Sequence, residues 1–182
     1  MACLHLITEA GCGLAIGAYP RFVYDASGGG GSASLGHCDG AGWQSIQFDP
    51  TKLTIPALTW RTSRVLGVPL PPGLSIQIHP EQLLGQWHPR RGEVHLNFRS
   101  RFRFSLAGLY QAPDLIVHTC LQTETAEGQR HQAQGKRVGV DGQALLVGVA
   151  SVMPTGDVWL DRFLGLPDEA LAQMRCRLCL SN

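Results

Sequence analysis

Arginine recurs at alternate positions of one segment, and these arginines are the residues best suited to binding an anion. Within Glu93–Leu106 every odd position is polar, and three of them are Arg99, Arg101 and Arg103. Because side chains of a β-strand alternate between its two faces, the three guanidinium groups are predicted on one face, roughly 6.6 Å apart. A guanidinium group donates paired hydrogen bonds to carboxylates and phosphates. The segment therefore predicts a basic face for an acidic protein, a nucleic acid or a lipid head group.

Two further arginines lie near the end of the chain. Residues 174–180 alternate apolar and polar side chains and place Arg175 and Arg177 on one face. If this strand lies beside Glu93–Leu106, the two form a surface of five arginines. The other interpretation, which the commonness of charged faces favours, is an ordinary solvated face whose arginines pair across strands with acids such as Glu93. The aromatic residues of Glu93–Leu106 fall on the face opposite the arginines, which argues against a stacking platform for RNA and against sequence-specific nucleic acid recognition.

A third candidate site combines tryptophan, arginine and proline. Trp60, Arg61 and Arg64 precede residues 66–73, which contain three prolines within four residues. Proline fixes the backbone and cannot donate to a sheet, so this segment is predicted to be rigid and extended. Tryptophan and arginine beside a rigid loop are typical of binding hot spots. The segment is either a plain connector, which its commonness favours, or a preformed wall beside a ligand or partner.

The six cysteines and seven histidines do not form a recognisable metal or redox motif. Cys176 and Cys179 form a C-x-x-C, but they lie in a predicted strand, where residues three apart point to opposite faces. Zinc sites usually need four ligands and redox pairs usually lie at a helix N-terminus, so we predict neither. The cluster at residues 37–39, His-Cys-Asp, is predicted to be a loop unless His88 or His118 lies close to it.

No catalytic motif is present: neither Gly-x-Ser-x-Gly nor His-Glu-x-x-His occurs. Asp157 and Asp161 lie four apart on a predicted helix, where capping explains them as well as catalysis does. We therefore predict a non-enzymatic binding, assembly or accessory protein that recognises a partner protein or an anionic or hydrophobic ligand. The alternatives are a small barrel enzyme, an isomerase or a cyclase with a His or Asp base in an apolar pocket, and a peripheral binder of lipid head groups. No cofactor is indicated.

Strands must position these residues, because alternation with a period of two dominates the chain. Glu93–Leu106 is predicted to form one strand of roughly 45 Å with a bend or bulge at Ser100. Further strands are predicted at residues 5–8, 13–19, 44–48, 53–60, 74–79, 83–87, 114–124, 137–140, 143–153 and 174–180. The glycine-rich stretch 25–34 is predicted to be a flexible loop, and 157–164 and 167–173 short helices. The pattern predicts one domain over 1–182, an all-β antiparallel sandwich or barrel of about eight to ten strands.

Composition supports a compact, soluble protein. The 182 residues are 44% hydrophobic and 16% charged, with a net charge of +1, so no overall field attracts nucleic acid or anionic membrane. No run of 18 apolar residues predicts a transmembrane helix, and the N-terminus lacks the charged start of a secretory signal. We expect free thiols in a reducing compartment, the cytoplasm or a plastid stroma.

Several scattered segments resemble a group of uncharacterised soluble β-rich proteins of cyanobacteria and chloroplasts. They are scattered across roughly two thirds of the chain and are Ile55-Pro56, Trp60-Arg61-Thr62 and residues 66–73, 109–113 and 159–171. The resemblance implies an origin in a photosynthetic lineage, and it assigns no catalytic residue and no activity.

Overall fold

The computed structural model describes residues 3–181, which form fifteen strands and one helix. In chain order the elements are β1 (Cys3–Thr8), β2 (Ala10–Ile16), β3 (Phe22–Asp25), β4 (Gly30–Cys38), β5 (Gln44–Phe48), β6 (Ser63–Val65), β7 (Val68–Pro69), β8 (Leu74–His88), β9 (Glu93–Leu106), β10 (Tyr110–Gln111), β11 (Leu115–Gln122), β12 (Thr125–Glu127), β13 (Gln132–Gln134), β14 (Gln143–Val152), α1 (Val158–Leu164) and β15 (Asp168–Ser181). The prediction of an all-β fold is confirmed.

Eight strands close into an antiparallel barrel. Around the ring they follow chain order, β1-β4-β5-β8-β9-β11-β14-β15, and β15 returns to pair with β1. Closure leaves these eight strands with no free edge along the ring. The long β15 pairs with β1 near its C-terminal end and with β2 nearer its start, so β2 continues alongside the ring where β1 stops. Strands β3, β6 and β7 then add to β2 and extend the sheet beyond one end of the barrel.

The long amphipathic strand is confirmed as β9, which pairs with β8 along its whole length. Its even positions are buried from Val94 to Phe104, as the alternation predicts. The expected irregularity lies in the partner strand: the register shifts between Pro80 and Gln82 of β8, directly opposite Ser100. The extra residue is Glu81, and this bulge lets the two long strands bend around the barrel.

The barrel interior is filled by one continuous hydrophobic cluster, to which every strand of the ring contributes. Among its fully buried members are Leu4, Phe48, Leu96 and Leu146. Burial of each such side chain stabilises the fold by about 1.5–3 kcal/mol. The alternating strands bring many apolar side chains to one face of the sheet. Closing the sheet into a barrel buries that face against itself, which favours the barrel over an open single layer.

The helix α1 packs across one end of the barrel. Asp157 caps its N-terminus by accepting a hydrogen bond from the backbone N–H of Leu160 at 2.8 Å, and Gly165 ends it with φ of 71°. Leu160 and Leu164 are buried against the barrel. Within residues 3–181 this seven-residue helix is the only one, and no helix there is long and apolar enough to cross a membrane.

The prediction of a second helix at 167–173 is wrong, because these residues belong to β15. Their backbone pairs with β14 on one side and with β2 on the other. The acids that resemble a helix start are used elsewhere: Asp168 pairs with Arg130 at 2.9 Å, and Glu169 accepts backbone N–H bonds from Gln129 and Arg130 at 2.6 and 2.8 Å. Pairing along both edges outweighs a weak local preference for helix.

Other segments also differ from the prediction. Residues 53–60 form no strand and make only isolated bridges at Thr54 and Leu58. Residues 137–140 form no strand either, and His37 and Cys38 belong to β4 rather than to a loop. The glycine run is not all loop, because Gly30 begins β4 and pairs with β1. Gly30 has φ of 131°, and a Cβ there would lie 2.0 Å from the carbonyl oxygen of Leu6, so only glycine permits this approach.

Candidate functional site

A cavity of about 500 Å³ lies at the end of the barrel that α1 covers. Five parts of the chain, distant in sequence, build it: the end of β2 with the turn into β3, the β6–β7 hairpin, the start of β8, the end of β9 with β10, and α1. The lining residues are Ile16, Tyr19, Phe22, Val65, Val68, Pro69, Leu70, Pro71, Leu74, Ile76, Phe104, Ser105, Leu106, Tyr110, Trp159, Leu160, Phe163 and Leu164. The cavity opens to solvent beside Val68, Trp159 and Phe163, which are 65%, 60% and 51% exposed.

The lining of this end cavity carries no charged side chain among its eighteen residues. Its side-chain polar groups are the hydroxyl groups of Tyr19, Ser105 and Tyr110 and the indole N–H of Trp159. An ion enters such surroundings only at a large desolvation cost, whereas an apolar group gains free energy there. The end cavity therefore suits a neutral, apolar molecule.

The proline-rich segment forms one wall of the end cavity. Leu66 and Gly67 have positive φ values of 50° and 80° and make the tight turn between β6 and β7. The residues from Val68 to Pro71 then pass along the cavity before the chain enters β8. Proline is tolerated in β7 because this short strand lies at the edge of the sheet, beside β6, where a missing N–H donor costs little. The segment therefore both connects β6 to β8 and forms a wall of the end cavity, and binding of a ligand or partner beside it stays a prediction.

Four aromatic rings form a continuous row along the end cavity. Tyr19 and Phe163 have ring centroids 5.6 Å apart, and Phe163 stacks on Trp159 at 5.2 Å with an angle of 4° between the planes. Trp159 meets Tyr110 edge to face at 5.5 Å. The Tyr19 hydroxyl also donates a hydrogen bond to the carbonyl oxygen of Phe163. The row is fixed by contacts between three separate parts of the chain, so its rings hold one another in place.

Tyr110 lies where the row meets the start of α1. Its hydroxyl oxygen is buried, and the Asp157 carboxylate approaches it without reaching hydrogen-bonding geometry. Burial raises the pKa of Tyr110, and the nearby Asp157 and Asp161 carboxylates raise it further. Asp161 itself accepts hydrogen bonds from the hydroxyl and backbone N–H of Thr155, at 2.6 and 2.7 Å, which lower its pKa. The two aspartates thus organise the turn before α1, and Tyr110 remains protonated at neutral pH.

The arginines of β9 are engaged in ion pairs on the outside of the barrel. Arg99 and Arg101 both bind Glu81, the bulge residue of β8, at 3.0 and 2.7 Å. Arg103 donates to Asp114 at 2.9 Å, and this hydrogen bond lowers the pKa of Asp114. Three guanidinium groups therefore share two carboxylates. The predicted alternative of cross-strand pairing describes this face, with Glu81 and Asp114 as the acids in place of Glu93.

The two arginine-bearing strands are not neighbours, because β11 and β14 lie between β9 and β15. The condition for a surface of five arginines is therefore not met. On β15, Arg177 pairs with Glu9 at 3.1 Å, and the Arg175 side chain passes over Gly11. Glu93, expected as a partner of these faces, is buried at the opposite end of the barrel and binds Arg137 at 2.6 Å.

Trp60, Arg61 and Arg64 lie close in sequence to the cavity wall, but none of them lines the end cavity. The Arg61 guanidinium group lies 5.1 Å from the ring centre of Trp60, a cation–π contact. Arg64 is exposed on β6 and donates to the carbonyl oxygen of Gly67 at 3.4 Å, inside the hairpin turn. The structure thus places Arg64 in the β6–β7 hairpin, and Trp60 and Arg61 in the turn that precedes β6.

Cys176 is buried and Cys179 exposed, as expected for residues on opposite faces of a strand. Within residues 3–181 no group of three or more His, Cys, Asp and Glu side chains is placed to hold a metal ion. Asp39 instead organises the β4–β5 turn, accepting backbone N–H bonds from Ala41 and Trp43 at 2.9 Å. His88 packs edge to face against Trp43.

Sequence reasoning missed the aromatic row. A signal was present on α1, where Trp159 and Phe163 are four residues apart and lie next to the buried Leu160 and Leu164. Such a helix carries an aromatic stripe beside its core stripe. The contribution of Tyr19 from another part of the chain depends on the fold and has no local signal.

No protein-family model, curated protein or solved structure matches this chain. The resemblance to proteins of cyanobacteria and chloroplasts stays a prediction.

Proposed function

We propose that this protein is a non-enzymatic binding protein that holds a neutral, apolar small molecule in its end cavity. The observation that carries the proposal is the uncharged lining of eighteen residues around a space of about 500 Å³. Small-molecule sites typically enclose roughly 300–1,000 Å³ and are lined mainly by hydrophobic and aromatic side chains. An eight-stranded barrel has an interior that either fills with side chains or holds one small ligand. Here side chains fill the middle of the barrel, and the end cavity beside α1 is the space that can hold a ligand.

Binding through the arginine face is less well supported. Its positive charge is offset by Glu81 and Asp114, and the second arginine strand lies elsewhere on the barrel. An anionic ligand would have to displace ion pairs that are already formed. The enzyme alternative needs a His or Asp base in an apolar pocket, and neither residue type is among the eighteen residues that line the end cavity.

Titration with the neutral fluorophore N-phenyl-1-naphthylamine tests the proposal, because its emission rises in apolar surroundings. The matched variants are Val68→Asp, at the cavity mouth, and Val140→Asp, a valine in the turn after Gly139 that lies outside the lining. Both side chains are well exposed, so both variants are expected to fold. We expect Val68→Asp to weaken binding at least tenfold, about 1.4 kcal/mol, because it places a charge beside the ligand. Val140→Asp should bind like the unmodified protein.

Two results would contradict the proposal. One is the lack of saturable binding by the unmodified protein. The other is equal loss of binding in both variants, which would show that the fluorophore responds to general surface properties and not to the end cavity. Far-UV circular dichroism on both variants confirms that the comparison is made between folded proteins.

A further inference from the structure

Aromatic side chains are concentrated in the end cavity far beyond their share of the chain. Six of the 13 aromatic residues line this one site. They are Tyr19, Phe22, Phe104, Tyr110, Trp159 and Phe163. Leucine, isoleucine and valine would line a merely apolar cavity equally well. The concentration of aromatic residues therefore indicates a ligand that interacts with their rings.

The rings are arranged to accept a flat partner. Trp159 and Phe163, on successive turns of α1, stack on each other with planes within 4°, so the edges of their rings lie side by side along the cavity lining. Both side chains are at least half exposed, so ring surface remains free at the cavity mouth. Tyr110 and Tyr19 fix the two ends of the pair through the contacts described above. The ring edges are therefore positioned before any ligand arrives, which lowers the entropy cost of packing the face of a flat ligand against them.

We infer that the ligand of the end cavity is a flat, conjugated ring system without a formal charge, an inference that rests on the proposed binding of an apolar small molecule. Aromatic rings attract each other in offset-stacked or edge-to-face arrangements beyond the gain from burying area. A saturated molecule of the same shape gains only the burial contribution. The ring edges of the stacked pair therefore favour the conjugated molecule, whose face they can meet edge to face.

Charge decides against an organic cation, the other class that aromatic clusters bind. The end cavity has no carboxylate among its lining residues. The nearest acids are committed to the turn before α1: Asp157 caps the helix, and Asp161 accepts from Thr155 and Gly156. A buried cation would lack a counter-ion there.

Competition between three probes tests the inference: pyrene, its fully hydrogenated analogue perhydropyrene, and tetraethylammonium. Pyrene and perhydropyrene share one carbon skeleton and differ in conjugation. Pyrene binding is followed by energy transfer from tryptophan, and the other two probes by displacement of N-phenyl-1-naphthylamine. We expect pyrene to bind about tenfold more tightly than perhydropyrene and tetraethylammonium not to compete.

Two variants test whether the preference for pyrene over perhydropyrene comes from the rings of Trp159 and Phe163. Trp159→Leu and Phe163→Leu should bring the two affinities within about twofold, with perhydropyrene binding retained. Trp60→Leu is the matched control, because Trp60 is similarly exposed and lies outside the lining; it should keep the tenfold preference. Displacement of N-phenyl-1-naphthylamine measures all variants, since it does not depend on the tryptophan that is removed.

The outcomes separate this inference from the proposed function. Equal affinity for pyrene and perhydropyrene would overturn the inference and leave the proposed function standing. Tighter binding of tetraethylammonium than of pyrene would also overturn the inference. If neither hydrocarbon nor the fluorophore binds, the proposed function is wrong and the inference fails with it.

Discussion

Leu160 is both part of the core and part of the cavity lining, and its truncation tests this double role. It is 2% exposed and reaches the end cavity from α1. Leu146 on β14 is 0% exposed and lies in the same hydrophobic cluster, but away from the end cavity. The pair Leu160→Ala and Leu146→Ala therefore compares the same chemical change at two equally buried sites.

The expected magnitudes follow from burial. Removing about three carbons costs about 2.4 kcal/mol at ~0.8 kcal/mol each. A closed void adds a further penalty, so Leu→Ala in cores costs about 2–5 kcal/mol. Leu146→Ala leaves such a void, and we expect a loss of about 3–5 kcal/mol in the free energy of unfolding. Leu160→Ala enlarges a space that already exists, and we expect about 2–3 kcal/mol.

Urea denaturation measures both losses, and comparable slopes against denaturant confirm that the transitions can be compared. A saturating apolar probe should then stabilise Leu160→Ala by binding only the folded protein, about 2.7 kcal/mol at a hundred times its Kd. Equal losses in the two variants, together with unchanged binding of N-phenyl-1-naphthylamine by Leu160→Ala, would refute the assignment of Leu160 to the cavity wall.

Two further predictions concern pH and thiol reactivity. The hydrogen bond from Arg103 lowers the pKa of Asp114, so this carboxylate contributes stability at neutral pH that is lost as the pH falls through its pKa in the folded protein. Asp114→Asn should lower Tm at pH 7 and flatten its decline towards acid; an unchanged decline would argue against this. Cys179 is exposed, whereas burial raises the pKa of Cys176 to about 12. Iodoacetamide followed by peptide mass spectrometry should find Cys179 alkylated in the folded protein and Cys176 only after unfolding, and equal labelling would contradict the buried position.

The sequence predicts the strands of this fold best where alternation is long. In β9 six inward positions in succession outweigh every local ambiguity, and the bend expected at Ser100 is found as the bulge opposite it. Residues 167–173 show the limit of local signals. Proline followed by two acids is typical of a helix start, but pairing along both edges of β15 decides the outcome, and that pairing joins residues far apart in sequence.

The candidate site was less predictable for the same reason. The proline-rich wall around Val68 was recognised as rigid, but the sequence does not say what it faces. The ring row joins Tyr19, Tyr110 and α1, which come together only when the barrel closes and α1 packs over its end. The arginines of β9 were placed on the correct face, whereas their carboxylate partner Glu81 depends on the bulge in the neighbouring strand.

The most direct test of the account is the position of a bound apolar molecule. A crystal structure of the protein with N-phenyl-1-naphthylamine should show it in the end cavity, in contact with Val68, Trp159 and Phe163. Binding at the opposite end of the barrel, around Trp43 and His88, or on the arginine face of β9, would contradict the account.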